Sequence, residues 1–347
     1  MYLHGLASAF PPHRLTQEEA FQCLRESPHA EKLRPGTMEL LRKVLMNPAS
    51  GVDERRFATN DFSWLFAADA EALNQYFERE APRLAGTALE RALDRAGLAP
   101  DQVDALFIST CTGFLCPGVS SYVAEQTGMR SDAVLIDVTG LGCGAAIPLM
   151  RSAADFLRAN PGACAVTVAV EICSAAFFLD DNAGVVISAA LFGDGAAAAV
   201  WRGGPGQAPA MRAHDFRSLH RPNHRQSLRF ENRSGKLRNI LGRDVPEVGA
   251  EAVSELYAAA KLPDGTRVVS HGGGRNVLEA IRERLPGLPL SEAAWVLQRY
   301  GNVSSPSVLV ALERALETGL TGEAWLTSFG AGFSAHACRL SPDRPVS

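Results

Sequence analysis

A thiol nucleophile, a proton-handling ring and a carboxamide donor are the parts of covalent acyl chemistry, and this chain sets one of each beside glycines: Cys143, His271 and Asn302. Cys143 lies in Val138-Thr139-Gly140-Leu141-Gly142-Cys143-Gly144-Ala145-Ala146, between an apolar strand pattern and a helical one. Glycines on both sides permit a tight turn. A thiol there faces the positive end of a helix dipole, which is expected to favour thiolate and lower the pKa from about 8.5 toward 7. The same residue also reads as a small buried core thiol. His271 ends an apolar run and precedes three glycines in Val268-Val269-Ser270-His271-Gly272-Gly273-Gly274-Arg275, so a substrate can approach its imidazole closely. Asn302, in Tyr300-Gly301-Asn302-Val303-Ser304-Ser305, precedes a helical pattern, where an N-cap or Asx turn is the plain alternative.

The elements that must position these residues follow from periodicity. Thr16-Gln17-Glu18-Glu19 has the form of a capping box, opening a helix to about Arg25. Apolar residues at helical spacing from Ala88 to Ala96 lead into a strand at Val103 to Ser109. Val134 to Val138 reads as a buried strand, Ala145 to Leu157 as a helix, and Ala165 to Val170 and Ala196 to Trp201 as further strands. Between Gly203 and Arg238 stand eight Lys or Arg against only Asp215 and Glu231, and this stretch reads as an irregular joint. Alternation then resumes, with a strand at 267–270, helices at 275–284 and 304–318, and strands at 325–328 and 334–339. Apolar strands joined through helices imply a parallel, doubly covered sheet. In such α/β sheets, strand-to-helix junctions gather at one edge, where sites form.

Bulk numbers narrow the function classes. At 46% apolar residues the chain can build one large core or two fused ones, and 34 basic against 38 acidic residues, net −4, give no pull toward nucleic acid or an anionic membrane. Small molecules are the expected partners. Seven cysteines without regular spacing suit a reducing cytoplasm. No leader and no run of about 20 apolar residues is present, so a soluble protein is expected. Cys111 and Cys116 lack a second Cys or His pair for zinc, and the glycine-rich turns lack the lysine of a phosphate loop. The chain order Cys, His, Asn also occurs in papain-like proteases, but their Cys-Gly-Ser-Cys-Trp signature is absent.

Taken together, Leu191-Phe192-Gly193-Asp194-Gly195-Ala196-Ala197, the Cys143 turn, His-Gly-Gly-Gly-Arg, Tyr-Gly-Asn-x-Ser-Ser and Phe329-Gly330-Ala331-Gly332-Phe333 resemble the type III polyketide synthases across nearly the whole chain. The segments 109–118 and 171–176 resemble most the bacterial branch that makes alkylresorcinols and alkylpyrones. The resemblance implies an α/β, thiolase-like fold of two related βαβ-rich halves, 1–204 and 205–347, forming an αβαβα layered core. It implies Cys143 as the acylated nucleophile, and His271 and Asn302 as holders of the malonyl thioester oxygen. Phe192 would be a gatekeeper ring, with the second gatekeeper position falling near Asn239. Cys111, Thr112, Cys173, Ala176 and Ser304 match cavity positions, and Cys116 a residue that reaches across a homodimer interface. Lys43 and Arg55 are candidates for the phosphates of CoA. Acyl-CoA and malonyl-CoA would be substrates, with no separate cofactor and no metal. Small side chains at Cys173 and Ala176 imply room for a long alkyl, hence fatty acyl, starter. Gly272 and Ala331 depart from prolines of the family. A ketoacyl synthase III, whose Gln-Ala-Asn after the histidine is absent, and a non-catalytic acyl-CoA-binding scaffold are the rival readings.

Overall fold

The computed structural model describes residues 1–205 and 210–343; positions 206–209, within the expected joint, and 344–347 lie outside it. Strand β1 (Tyr2–Ala9) and the short β2 (His13–Thr16) lead into α1 (Gln17–Arg25), whose capping box joins Thr16 and Glu19 as their spacing predicts. Helix α2 (Pro35–Leu45), β3 (Glu54–Phe57) and α3 (Phe62–Ala67) precede α4 (Ala70–Ala96), which Asp69 caps and Gly97 ends in the left-handed region. Next come β4 (Ala105–Ser109), α5 (Val119–Thr127), β5 (Val134–Val138), α6 (Ala146–Ala159), β6 (Cys164–Glu171), α7 (Ala183–Leu191) and β7 (Gly195–Arg202). The basic stretch is not irregular: it holds β8 (Met211–His220) and the hairpin β9 (Leu228–Arg233) and β10 (Lys236–Leu241). Its charges are spread over both faces of these strands, Arg238 even being buried, and so hide their alternation. The chain ends with α8 (Val245–Ala260), β11 (Arg267–Ser270), α9 (Arg275–Arg284), α10 (Ser291–Tyr300), α11 (Ser307–Glu317), β12 (Ala324–Gly330) and β13 (Ser334–Pro342).

Nine strands run in the order β11-β12-β13-β8-β1-β7-β6-β4-β5. One pattern occurs twice. In β4-β6-β7-β1 a parallel pair is followed by two antiparallel ones, and β11-β12-β13-β8 repeats it. The two sets meet antiparallel along β1 and β8, through Tyr2 opposite Arg212 and Leu3 opposite Met211. Helices α6 and α11 pack between the sets, α6 against β4, β6, β12 and β13, and α11 against β1, β7, β11 and β12. Their apolar residues, such as Ile147, Met150, Val308 and Leu312, are buried in one cluster with residues of both sets. Helix α4 covers β1, β6 and β7 from outside, and α8 covers β8, β12 and β13. The result is the αβαβα layering of the thiolase-like fold.

One strand departs from expectation. Strand β5 is the sheet edge and not buried: Val134, Leu135 and Ile136 are 40%, 38% and 40% exposed. An apolar run predicts burial, but with β4 on one side and α5 against it, no strand among the described residues pairs with its other side.

Candidate active site

The two central helices bring the site together. Cys143 lies in a short 3-10 turn, Gly142–Gly144, just before α6. Asn302 and Ser304 lie just before α11, the corresponding place in the second set of strands. The end of β12 presses on the cysteine turn so closely that a Cβ on Gly330 would fall 2.3 Å from the Leu141 carbonyl oxygen, which only glycine avoids. His271 follows β11, and its backbone N–H continues the ladder by donating to Thr327 O at 2.9 Å. Phe192 ends α7, and its segment is tied to Asn302 by Gly193 N–H donating to Asn302 O and Asn302 N–H donating to Leu191 O.

These placements make one space. Cys143, His271 and Asn302 line a cavity of about 630 Å³, together with Phe192 and Phe329. The carboxamide of Asn302 is fixed from both ends: Oδ1 accepts from Ser304 N–H at 2.8 Å, and Nδ2 donates to Gly273 O at 3.0 Å. Its second N–H is left for a ligand. The His271 ring meets Phe329 edge-on, 5.6 Å between centroids, and its buried Nδ1 has no partner among the described residues. Burial brings the imidazole down to about 4, so it is neutral at physiological pH.

The expectation of a lowered thiol pKa needs correction. Burial pushes the Cys143 thiol up to about 12, outweighing the hydrogen bond that Ser304 Oγ donates to Sγ at 3.3 Å. A charge placed alone here loses its water, and a turn dipole does not replace it. Thiol and imidazole are thus each held neutral in this cavity.

Sequence reasoning missed Glu171. Fully buried at the end of β6, it accepts from Cys111 N–H and Thr112 Oγ1, both at 3.0 Å, and from Ser305 Oγ at 2.6 Å. Ser304 Oγ lies 3.3 Å from Glu171 Oε1 and, with one proton, serves either this carboxylate or Cys143. Burial raises the Glu171 pKa while these hydrogen bonds oppose the rise. The available signal was a lone acid ending an eight-residue apolar strand.

A smaller chamber of about 50 Å³ adjoins the first, sharing Cys143 and Phe192. Cys111, Thr112, Cys173, Ala176 and Ser304 all line it, as the resemblance implies. Phe57, Phe177, Phe178 and Phe230 crowd the same space. A third cavity of about 570 Å³ touches the chamber wall at Cys111, Gly142, Phe230 and Ala331.

One other call changes. Arg55 is not a phosphate ligand: it is 3% exposed and lies off the large cavity, donating to Gln17 Oε1, Ala189 O and Phe192 O at 2.8 to 3.0 Å. It holds the Phe192 segment from behind. Cys116 is exposed and lines none of the three cavities of its own chain. Lys43 does line the large cavity, with its side chain 68% exposed and an ion pair to Glu39 at 3.7 Å. Arg243 and Arg275, to which sequence reasoning gave no role, line it too. Arg275 could have been found as the residue that closes the His-Gly-Gly-Gly-Arg run.

Comparison with known proteins agrees with this geometry. Residues 6–214 match the family model of the FAE1/type III polyketide synthase-like proteins. Residues 258–341 match the C-terminal model of 3-oxoacyl-[acyl-carrier-protein] synthase III. The chain is 30% identical to the 1,3,6,8-tetrahydroxynaphthalene synthase of Streptomyces peucetius over 88% of its own length and 83% of that protein's. It is 32% identical to the 3,5-dihydroxyphenylacetyl-CoA synthase of Streptomyces toyocaensis, over 81% and 76% of the two chains. The crystal structure of the 1,3,6,8-tetrahydroxynaphthalene synthase of Streptomyces coelicolor superposes with a TM-score of 0.87 at 27% identity, covering 99% of this chain and 100% of that one. With its thiolase-like layers and its cysteine, histidine and asparagine around one cavity, the chain belongs to the type III polyketide synthases, acyltransferases that condense CoA thioesters.

Proposed function

We propose that Cys143 carries the growing acyl chain while His271 and Asn302 generate the nucleophile that extends it. The observation that supports this most is that the three side chains, drawn from turns far apart in sequence, line one cavity. The neutral imidazole takes the thiol proton, and Sγ attacks the acyl-CoA carbonyl, expelling CoA as its thiol. Malonyl-CoA then binds with its thioester oxygen against N–H donors of His271 and Asn302. Its carboxylate leaves as carbon dioxide, and the bonding pair stays as an enolate whose negative oxygen these donors stabilise. One such donor is typically worth about 100- to 1,000-fold in rate. The enolate carbon attacks the Cys143 thioester and expels the sulfur, leaving a chain two carbons longer on CoA. Phe192, lining both spaces, excludes water from the carbanion. Lys43, Arg243 and Arg275 on the large cavity supply charge for CoA phosphates.

The starter in this reading is short. The chamber of about 50 Å³ favours it, and relatives are named for small aromatic products, tetrahydroxynaphthalene and dihydroxyphenylacetyl-CoA. Alkylresorcinols and alkylpyrones need the chamber to open toward the third cavity. The protein works as a homodimer through the apolar β5 edge, with Phe114, 71% exposed, and Cys116 on the loop offered to the partner. Residues 1–204 and 205–347 act as its two halves. Its seven cysteines are free and no helix among the described residues is long and apolar enough to cross a membrane, which supports a cytoplasmic location. The deciding experiment is mass spectrometry of products from malonyl-CoA with a panel of acyl-CoA starters, using Cys143→Ala as control. Carbon dioxide release and extension lost in the variant are expected; extension by Cys143→Ala overturns the assignment. The likeness of residues 258–341 to 3-oxoacyl-[acyl-carrier-protein] synthase III favours a second reading, in which extension requires malonyl carried on acyl carrier protein.

A further inference from the structure

The small chamber contains polar groups that the reaction above does not use. Thr112 directs its hydroxyl to Glu171, Ser174 to Asp194, and Ser304 to Cys143 or Glu171. Arg229 keeps Nη2 on Glu231 at 3.1 Å. Ser188 and Asn239 also line the chamber, and neither side chain has a hydrogen-bond partner among the described residues. Both come from elements that pack together, Ser188 from α7 and Asn239 from β10.

The hairpin explains why Asn239 faces inward. It stands opposite Phe230, as Leu241 stands opposite Leu228, and residues paired across antiparallel strands share a face. Phe230 and Leu228 line the chamber with Asn239. The other face is held from outside, where Arg238 donates to Glu231 at 2.7 Å and to Asp180 at 2.8 Å. On the inward face Leu228, Phe230 and Leu241 surround the Asn239 carboxamide, while Asn232 lies at the exposed end of that face, outside the chamber.

A carboxamide offers two donors and an acceptor, and a hydroxyl one donor and two acceptor lone pairs. A β-ketoacyl chain carries a carbonyl on alternate carbons, whereas an alkyl chain carries none. An alkyl chain packed here strips water from both groups and leaves them unpaired, which a hydrogen-bonding site rejects strongly. Resting on the reading of the chain as a malonyl-CoA condensing enzyme, we propose that Ser188 and Asn239 form a polar pair that hydrogen-bonds keto oxygens of the growing chain, so that the chamber selects oxygenated over plain alkyl acyl groups.

Acetoacetyl-CoA and butanoyl-CoA isolate this effect, having equal carbon number and differing by one keto oxygen. Extension of each by malonyl-CoA is compared by kcat/KM in wild type, Asn239→Leu, Ser188→Ala and the double variant. Two net hydrogen bonds predict an acetoacetyl preference of about tenfold in the wild type, falling toward one in the double variant. The ratio is independent of the fraction of active enzyme. Should Asn239→Leu not fold, Ser188→Ala, which keeps its helix, must by itself lower the ratio. An absent wild-type preference, or a ratio unmoved by the variants, overturns the polar pair. If wild-type protein releases no carbon dioxide from malonyl-CoA, the parent reading fails instead.

Discussion

Replacing His271 with Gln tests how the buried thiol ionises. Burial, with a further push from the Glu171 charge, raises Cys143 to about 12, and the variant removes the imidazole from its cavity. At pH 8 such a thiol is about 0.01% thiolate, against roughly a quarter for an ordinary cysteine near 8.5, a difference of about 2,000-fold. The scarcer thiolate is the stronger nucleophile. With a Brønsted coefficient of ~0.45, the rise from about 8.5 to about 12 returns about 40-fold. Alkylation of Cys143 by iodoacetamide in His271→Gln should then run roughly 60 times slower than that of free cysteine at pH 8, climbing about tenfold per pH unit to pH 10. In the wild type the neutral imidazole takes the proton, and Cys143 should react at least about tenfold faster than in the variant at pH 7. Because seven free cysteines compete, the rate must be read on the Cys143 peptide by mass spectrometry. If the variant titrates like an exposed cysteine, or matches the wild type, the account of paired ionisation is wrong.

Four further outcomes are expected. Arg55→Met leaves Gln17 Oε1, Ala189 O and Phe192 O without their donor; breaking such a buried set costs about 3–5 kcal/mol, or about 4–7 °C in Tm by calorimetry at roughly 0.7 kcal/mol per degree for this length. His336, buried and held at about 4, contributes stability that is present above about pH 6.5 and lost as pH falls toward 4, because only the unfolded chain takes up the proton. The Tm advantage of wild type over His336→Gln should accordingly shrink by about 3 °C between pH 7 and 5. Ile136→Lys should yield a monomer in analytical ultracentrifugation, and an unchanged sedimentation coefficient would reject β5 as the interface. Ala176→Trp should close the chamber to all but the smallest starters, and an unaltered starter preference in product mass spectra would remove Ala176 from its wall.

Much of the site was legible because its chemistry stands at strand-to-helix junctions with glycines beside them. Cys143, His271 and Asn302 carry that signature openly, and the sheet order brings their turns to one place. What escaped was set by burial, which residue type alone does not encode. Arg55 reads as a surface cation yet lies in the core, where its guanidinium satisfies two carbonyls. Glu171 reads as the end of a strand, and only the folded chain shows four hydroxyls, a thiol and an amide converging on it. Residues 134–138 are apolar enough for a core but form an edge, since local composition does not say how many strands follow. In residues 203–238, basic side chains that stand at partly buried as well as exposed positions masked the alternation of three strands.

The nucleophile precedes α6 and the carboxamide precedes α11, so each set of strands supplies one side of the reacting pair. Backbone bonds join the sets where Met1 to Leu3 lie against Met211 to Ala213, and again beside the site where Leu191 and Gly193 pair with Asn302, and side chains packed around the two central helices add to the union. Turnover is therefore hostage to two short sutures, one of them at the site itself. Gentle heating or mild denaturant that lets the sets slip by an ångström will silence turnover while the circular dichroism of the strands is still intact.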